Sequence, residues 1–348
     1  MLRINHPGRL RFQDSPFPAT QYGPYYAYRS DHRSWRNRSS PAIKLITMKL
    51  SQIRDVVAIV EHGSLRAAAQ RLGLAQPALT RSIRELEHEL GVSLFERHAH
   101  GMKLTAMGDA FIRRARAVQA EIRHSHEEID QLKGLMTGQV SIGLSMASSI
   151  VFLPSLLTPF LKRFPGVRLK VTEGLFPELR QKIVEGDVDF YVGPIVEQPQ
   201  PRELVVEELI ESERIVLGRV GHPLQGAQSL AELAAAHWVG ISLAATGVIE
   251  PRGIFKLHGL PAPIIEIETQ SYLSTIIIAA KSDLLTMLPR MCLRLPGADK
   301  LLKQIEVEKV AAPTICLIRR ANLPLTPAAE FLSDLVRRVA LLEKKLLQ

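Results

Sequence analysis

Between Ser51 and Gly91 the apolar residues recur at helical spacing in three short runs, each closed by a glycine, and few folds accept such an order. Ile53, Val56, Val57 and Val60 stand at i, i+3, i+4 and i+7, one face of a helix that Ser51 is placed to cap and Gly63 to stop. Ser64 caps a second helix with the inner stripe Leu65, Ala68, Ala69 and Leu72, and Gly73 ends it with room for a positive φ. The small side chains of Ala67, Ala68 and Ala69 allow two helices to approach closely across a tight turn. In the third run Leu79, Ile83, Leu86 and Leu90 step by 4, 3 and 4 to form a buried face, Pro77 suits the first helical turn, and Gly91 is the stop.

The outward face of the third helix carries Gln76, Thr80, Arg81 and Arg84, with Ala75 and Pro77 at its leading end. Helix, tight turn and helix with a short-side-chain leading end is the helix-turn-helix arrangement, whose second helix lies in the major groove of double-stranded DNA. Glutamine can read adenine bidentately, arginine can read guanine, and alanine or threonine methyls can touch thymine. Val92, Leu94 and Phe95, the turn His98-Ala99-His100-Gly101 and a second segment at 102–104 complete a hairpin-like wing, with Arg97 and Lys103 placed for phosphates. The plainer alternatives are a helical subdomain with a solvated arginine face and an ordinary surface turn. Two histidines in a turn without a third ligand do not make a metal site.

Met48-Lys49-Leu50, Gly63-Ser64-Leu65-Arg66-Ala67-Ala68-Ala69, Leu74-Ala75-Gln76-Pro77-Ala78-Leu79-Thr80, Leu86-Glu87-His88-Glu89-Leu90-Gly91 and Leu94-Phe95-Glu96-Arg97 resemble the N-terminus of LysR-type transcriptional regulators. The resemblance extends over 48–348 and implies a sequence-specific DNA-binding regulator, not an enzyme, controlled by a small anionic effector. It places Ala75, Gln76, Pro77, Thr80, Arg81 and Arg84 at DNA-contacting positions. Most members have serine where Ala75 stands; a lost cap costs about 1 kcal/mol and leaves the motif standing. A regulator acting as a constitutive repressor without a ligand is the alternative.

Members usually begin where Met48 stands, and the composition breaks there. Residues 1–47 hold four of the six tyrosines, five prolines and no helical or strand period. They also hold six of the nine net positive charges, so evidence for DNA must come from residue placement rather than bulk charge. A mis-annotated or disordered leader, a basic arm on phosphates and a transit peptide are the competing readings. From about 105 to 136 a long helix follows, with Phe111, Ala115, Val118, Ile122, Ser125, Ile129, Leu132 and Met136 alternating steps of 4 and 3. Such a seam either packs on its own domain or pairs with its copy, and a two-fold dimer would present two reading helices to a pseudo-palindromic promoter site. The resemblance favours pairing, with a homotetramer as the further assembly and RNA polymerase as a possible partner.

Beyond Gly138, strands and helices alternate. Strands are expected at 140–144, 167–171, 188–192, 215–220, 238–241, 264–267, 284–287 and 314–318, with a terminal helix at 326–345. The resulting expectation is an α/β protein. A winged helix-turn-helix at 48–104 and a linker helix at 105–136 precede an effector domain at 139–348. By resemblance that domain has two Rossmann-like lobes, as in type 2 periplasmic binding proteins, with lobe I at 139–195 and 320–348, lobe II at 200–319, and a crossing near 192–196.

Such sheets bind ligands at the carboxyl ends of strands, where helix N-termini offer free N–H groups. Ser145, Ser148, Ser149 and Phe176 from one lobe, and Thr246, Gln270, Ser271 and Tyr272 from the other, are the candidate effector residues; each serine is also a plausible plain helix cap. Hydroxyls and N–H groups favour a small organic acid or sulfonate. The pattern Leu284-Leu285-Thr286-Met287-Leu288-Pro289-Arg290 looks most like the branch of the family that governs toluenesulfonate breakdown.

Gly143-Leu144-Ser145-Met146-Ala147 approaches a nucleophile elbow, but no histidine downstream has an evident carboxylate partner, so a hydrolase is a minor alternative, as is a solute-binding protein. No dinucleotide fingerprint, P-loop or zincin motif is present, so no cofactor is expected. Cys292 and Cys316 build no disulfide scaffold, no run of eighteen apolar residues suggests a membrane span, and the chain reads as cytoplasmic.

Overall fold

The computed structural model describes residues 47–98, 101–195, 202–241, 251–321 and 323–347. Apart from Thr47, the leader lies outside them, as do Ala99 and His100 of the wing turn and Thr246. Among the described residues no helix is long and apolar enough to cross a membrane.

Helices α1 (Leu50–His62), α2 (Leu65–Leu72) and α3 (Gln76–Leu90) close around Val56, Ile59, Ala68, Leu79 and Leu86. Ser64 accepts the Ala67 N–H at 3.2 Å, and Gly63, Gly73 and Gly91 end the three helices with φ of 71°, 65° and 71°. Two expectations need correction. Ser51 sits inside the first turn of α1, because the Lys49 N–H donates to the Gln52 side chain at 2.8 Å and that glutamine does the capping. Leu90 is 40% exposed, since α3 runs one turn past the core its other leucines fill.

The wing is a two-stranded antiparallel sheet of β1 (Phe95–His98) and β2 (Gly101–Leu104). Helix α4 (Ala106–Leu132) follows, capped by Thr105, which accepts the Gly108 N–H at 3.0 Å. Its beginning is the fourth helix of the first core, where Ile112 and Ala115 are buried and Phe111 half-buried. The expected seam therefore loses its first two positions to the chain's own interior, and its exposed apolar stripe is Val118, Ile129 and Leu132, with Ile122 half-buried.

The remaining elements in chain order are β3 (Gln139–Leu144), α5 (Met146–Arg163), β4 (Arg168–Glu173), α6 (Phe176–Glu185), β5 (Phe190–Pro194), β6 (Leu204–Arg219), β7 (His237–Ile241), α7 (Pro251–Leu257), β8 (Ile264–Thr269), α8 (Tyr272–Lys281), β9 (Thr286–Pro289), α9 (Ala298–Leu301), β10 (Leu302–Arg320) and α10 (Pro327–Leu347). The main sheet has the order β4-β3-β5-β10-β6-β9, parallel in its first three strands and antiparallel thereafter. Parallel strands β7 and β8 extend it through a bridge in which the Val239 N–H donates to the Leu285 carbonyl at 2.8 Å.

Two strands are far longer than expected. β6 and β10 pair from Leu204 with Arg320 at one end to Arg219 with Leu302 at the other, with register shifts around 305–316. One half of this ribbon belongs to lobe I, whose core includes Ile142, Phe152, Phe190 and Leu332; the other belongs to lobe II, built around Trp238, Phe255 and Ile305. The chain thus changes lobe in the middle of β6 and β10, not near 192–196 or 320.

Helix α4 is fastened to lobe I from Arg116 to Gln131. Arg116 pairs with Glu185 at 3.1 Å, His124 Nε2 lies 3.2 Å from Asp189, and Arg320 pairs with Glu121. Gln131 donates to the Thr137 carbonyl and accepts the Ala328 N–H. Gly186 is required at this joint: its φ is +77°, and an added Cβ would meet that of Ala120 at 2.6 Å.

Candidate functional site

The described residues offer two surfaces suited to recognition, one convex and one concave. The convex one is the leading end and outer face of α3. Ala75, Gln76, Pro77, Arg81 and Arg84 are exposed, and Thr80 is half-buried, its hydroxyl donating to the Gln76 carbonyl at 3.0 Å. The steps from Gln76 to Thr80 to Arg84 put one residue per turn on a single stripe, flanking the buried face of Leu79, Ile83 and Leu86. Ala75 is the N-cap residue and makes no side-chain cap bond, so the positive end of α3 faces outward.

That stripe is held at a fixed angle by polar contacts from neighbouring elements. Asp55, only 3% exposed on α1, accepts the Ser82 hydroxyl at 2.6 Å and so ties α1 to α3. At the far end of α3, one Glu87 oxygen accepts the Leu94 and Phe95 N–H groups at 2.7 and 3.2 Å, which fixes the wing to the helix. On the wing, Lys103 is exposed on β2 and Arg97 lies on β1. Gly101 packs against the end of α1, where an added Cβ would stand 2.6 Å from the Gly63 carbonyl oxygen, and its φ is +132°. The wing is therefore held to α3 by the Glu87 carboxylate and to the end of α1 by backbone contact.

The concave surface is a cleft of about 700 Å³. Met146, Glu173, Leu175 and Glu178 from lobe I face Gln270, Ser271, Tyr272 and Ile276 from α8 and the turn before it. Its volume lies within the range of small-molecule pockets. Behind Leu175 and Tyr272 a chamber of about 30 Å³ is lined by Ser145, Ser212, Arg214, Pro289 and Pro313. That is space for about one water molecule or the oxygens of one acidic headgroup.

Arg214 was not foreseen from the sequence. It is 6% exposed on β6, and burial lowers its pKa to about 10, with the nearby Tyr272 acting the other way. It therefore stays cationic at neutral pH in surroundings that solvate a cation poorly. Burial pushes the Tyr272 phenol up to about 12, so it remains a neutral hydrogen-bonding group.

The expected residues divide into three groups. Gln270, Ser271 and Tyr272 line the cleft, and Ser145 lines the chamber. Ser145 is also the α5 cap, accepting the Ser148 N–H at 3.2 Å and sharing a 2.9 Å contact with the Ser148 hydroxyl, while Ser271 caps α8. Ser148 is fully buried behind Ser145, and Ser149 is half-buried with its hydroxyl oxygen unpartnered. Phe176 is a correction: it is fully buried, 6.0 Å from the Tyr191 ring, because α6 turns Phe176, Leu179 and Ile183 into lobe I. Leu175, one residue earlier, takes the place expected for Phe176.

Comparison with known proteins covers both surfaces. Residues 50–109 match the bacterial regulatory helix-turn-helix model of the lysR family, and residues 133–341 match the LysR substrate binding domain. The SDS degradation transcriptional activation protein of a Pseudomonas species is 30% identical over 82% of this chain and 95% of its own length. Among solved structures, full-length OxyR from Pseudomonas aeruginosa has a TM-score of 0.65 at 22% identity, covering 83% of this chain and 95% of that one. Full-length CbnR complexed with its target DNA has a TM-score of 0.58 at 22% identity, covering 84% of this chain and 100% of that one.

Proposed function

Because the chain belongs to the LysR family of DNA-binding transcriptional regulators, we propose that its regulation runs through a small organic anion held at Arg214 between the lobes. One observation carries this reading: a buried guanidinium beside a headgroup-sized chamber, at the back of a cleft open to larger molecules. Ser145 at the start of α5, Ser212 and Tyr272 would complete the headgroup site, with Gln270 and Ser271 along the body of the ligand. Thr246 and Ser149 are further candidates. A carboxylate, sulfonate or sulfate ester fits this donor set, and the relative concerned with SDS degradation supports the sulfur acids.

On the DNA side, Gln76, Arg81 and Arg84 would read bases, Ala75, Pro77 and Thr80 would approach the groove floor, and Arg97 and Lys103 would hold phosphates. The exposed stripe of α4 supports pairing with a second copy, which would set two α3 helices on a two-fold site, and a tetramer would double that arrangement. Closure of the lobes on the anion would shift the population between two placements of the reading units, and RNA polymerase would respond to that shift. The cytoplasm, where promoters are found, is the proposed location.

A thermal-shift screen of carboxylates, sulfonates and alkyl sulfates tests the effector reading, since a ligand at a hundred times its Kd adds about 2.7 kcal/mol. Arg214→Met should erase the shift of every hit. A hit that stabilises Arg214→Met equally well would refute the headgroup site, and a screen without hits would favour a regulator that works unliganded.

A further inference from the structure

The outer cleft carries a charge of its own. Glu173, at the end of β4, and Glu178, in the first turn of α6, stand exposed on the lobe I wall. Some exposed carboxylates of this half are matched by arginines, Glu203 with Arg180, Glu268 with Arg252 and Asp283 with Arg219, at 2.7–3.2 Å, whereas others such as Glu211, Glu232 and Asp299 make no ion pair among the described residues. Glu173 and Glu178 have no ion pair among the described residues. Their wall faces apolar Leu273 and Ile276 across the cleft, while among the described residues the only arginine or lysine lining cleft or chamber is Arg214, at the rear. Tyr272, which divides the two compartments, lies within the field of both ends: Arg214 favours its ionised form and Glu173 opposes it.

We propose that the effector is bipolar, with an acidic headgroup for the Arg214 chamber, an apolar body across Leu175 and Ile276, and an ammonium or comparable donor group for Glu173 and Glu178. A simple monoacid would leave its apolar tail against two unneutralised carboxylates, whereas an amino acid of the ω type satisfies both ends at once. The inference rests on the cleft being the effector site and adds a second polar end to it.

Isothermal titration of the full chain with two matched pairs tests it: benzoate against 4-(aminomethyl)benzoate, and hexanoate against 6-aminohexanoate. The aminated member of each pair should bind about tenfold more tightly, as a partly desolvated ion pair allows. In the double variant Glu173→Gln, Glu178→Gln that preference should vanish while the plain acids bind as well or better. Equal affinity within both pairs, a preference that survives the double variant, or no binding by any of the four overturns the bipolar effector. Arg214→Met serves as the separate control: plain acids that bind it unchanged refute the headgroup site itself, whatever the carboxylates do.

Discussion

The DNA-reading unit and the two-lobed half solve recognition in opposite ways. The first displays a convex stripe on one helix, so its proposed base-reading side chains come from a single run of ten residues and need only be kept bare and correctly angled. The second would enclose its proposed ligand, so Ser145, Leu175, Arg214, Gln270 and Tyr272 are brought together from four separate segments. A convex site depends on the packing beneath it, whereas a concave one depends on where long strands cross. Substitutions should separate the two in a definite order.

The largest effect belongs to the packing under the stripe. Leu79→Ala, at a position with no exposure, should destabilise the reading unit by about 2–5 kcal/mol and abolish operator binding, while acids still shift the melting of the effector half. If both activities fall together, the two regions do not fold independently. Next comes Arg214→Met, which should weaken organic acids by about 2–5 kcal/mol and leave unliganded operator affinity unchanged. The unliganded Tm of the same variant measures what Arg214 contributes to the fold apart from the ligand, and a marked loss would assign it a structural role as well.

Gln76→Ala and Arg81→Ala should each cost about 1–3 kcal/mol of operator binding and relax base preference at one position per half-site, measured by competition among single-base operator variants. An undiminished preference would move base reading elsewhere on α3. The smallest effect is that of Lys103→Ala, which should weaken binding to all sequences alike and flatten the salt dependence by about one ion. An unchanged slope would remove the wing lysine from the phosphate contacts.

The same contrast governs what could be read from the linear chain. Helices α1 to α3 were legible because each is amphipathic over its whole length and ends at a glycine with positive φ. Their outward residues followed by subtraction. In the other half most strand positions were legible as short apolar runs, but β6 and β10 were not. The charged stretch Glu207-Glu208 and Glu211-Ser212-Glu213-Arg214 interrupts one, and Pro313 with its neighbouring bulges interrupts the other. Arg214 was hidden for the same reason, since a charge ahead of Ile215, Val216 and Leu217 resembles the edge of a strand and here lies within one. Phe176 and Leu175 exchanged roles because a one-residue shift in where α6 begins turns a side chain from cleft to core. Such a shift is set by tertiary packing and leaves no trace in periodicity.

Helix α4 contributes Ile112 and Ala115 to the first core and grips lobe I through Arg116, Glu121, His124 and Gln131, so it is a shaft seated in a bearing at each end. Its 27 residues make a rod of about 40 Å, and a tilt of about 5° at one bearing carries the other end through roughly 3.5 Å. That displacement is comparable to the rise of one base pair. On the proposed reading, a modest rocking of lobe I would be geared up along this rod into a change of register on the duplex.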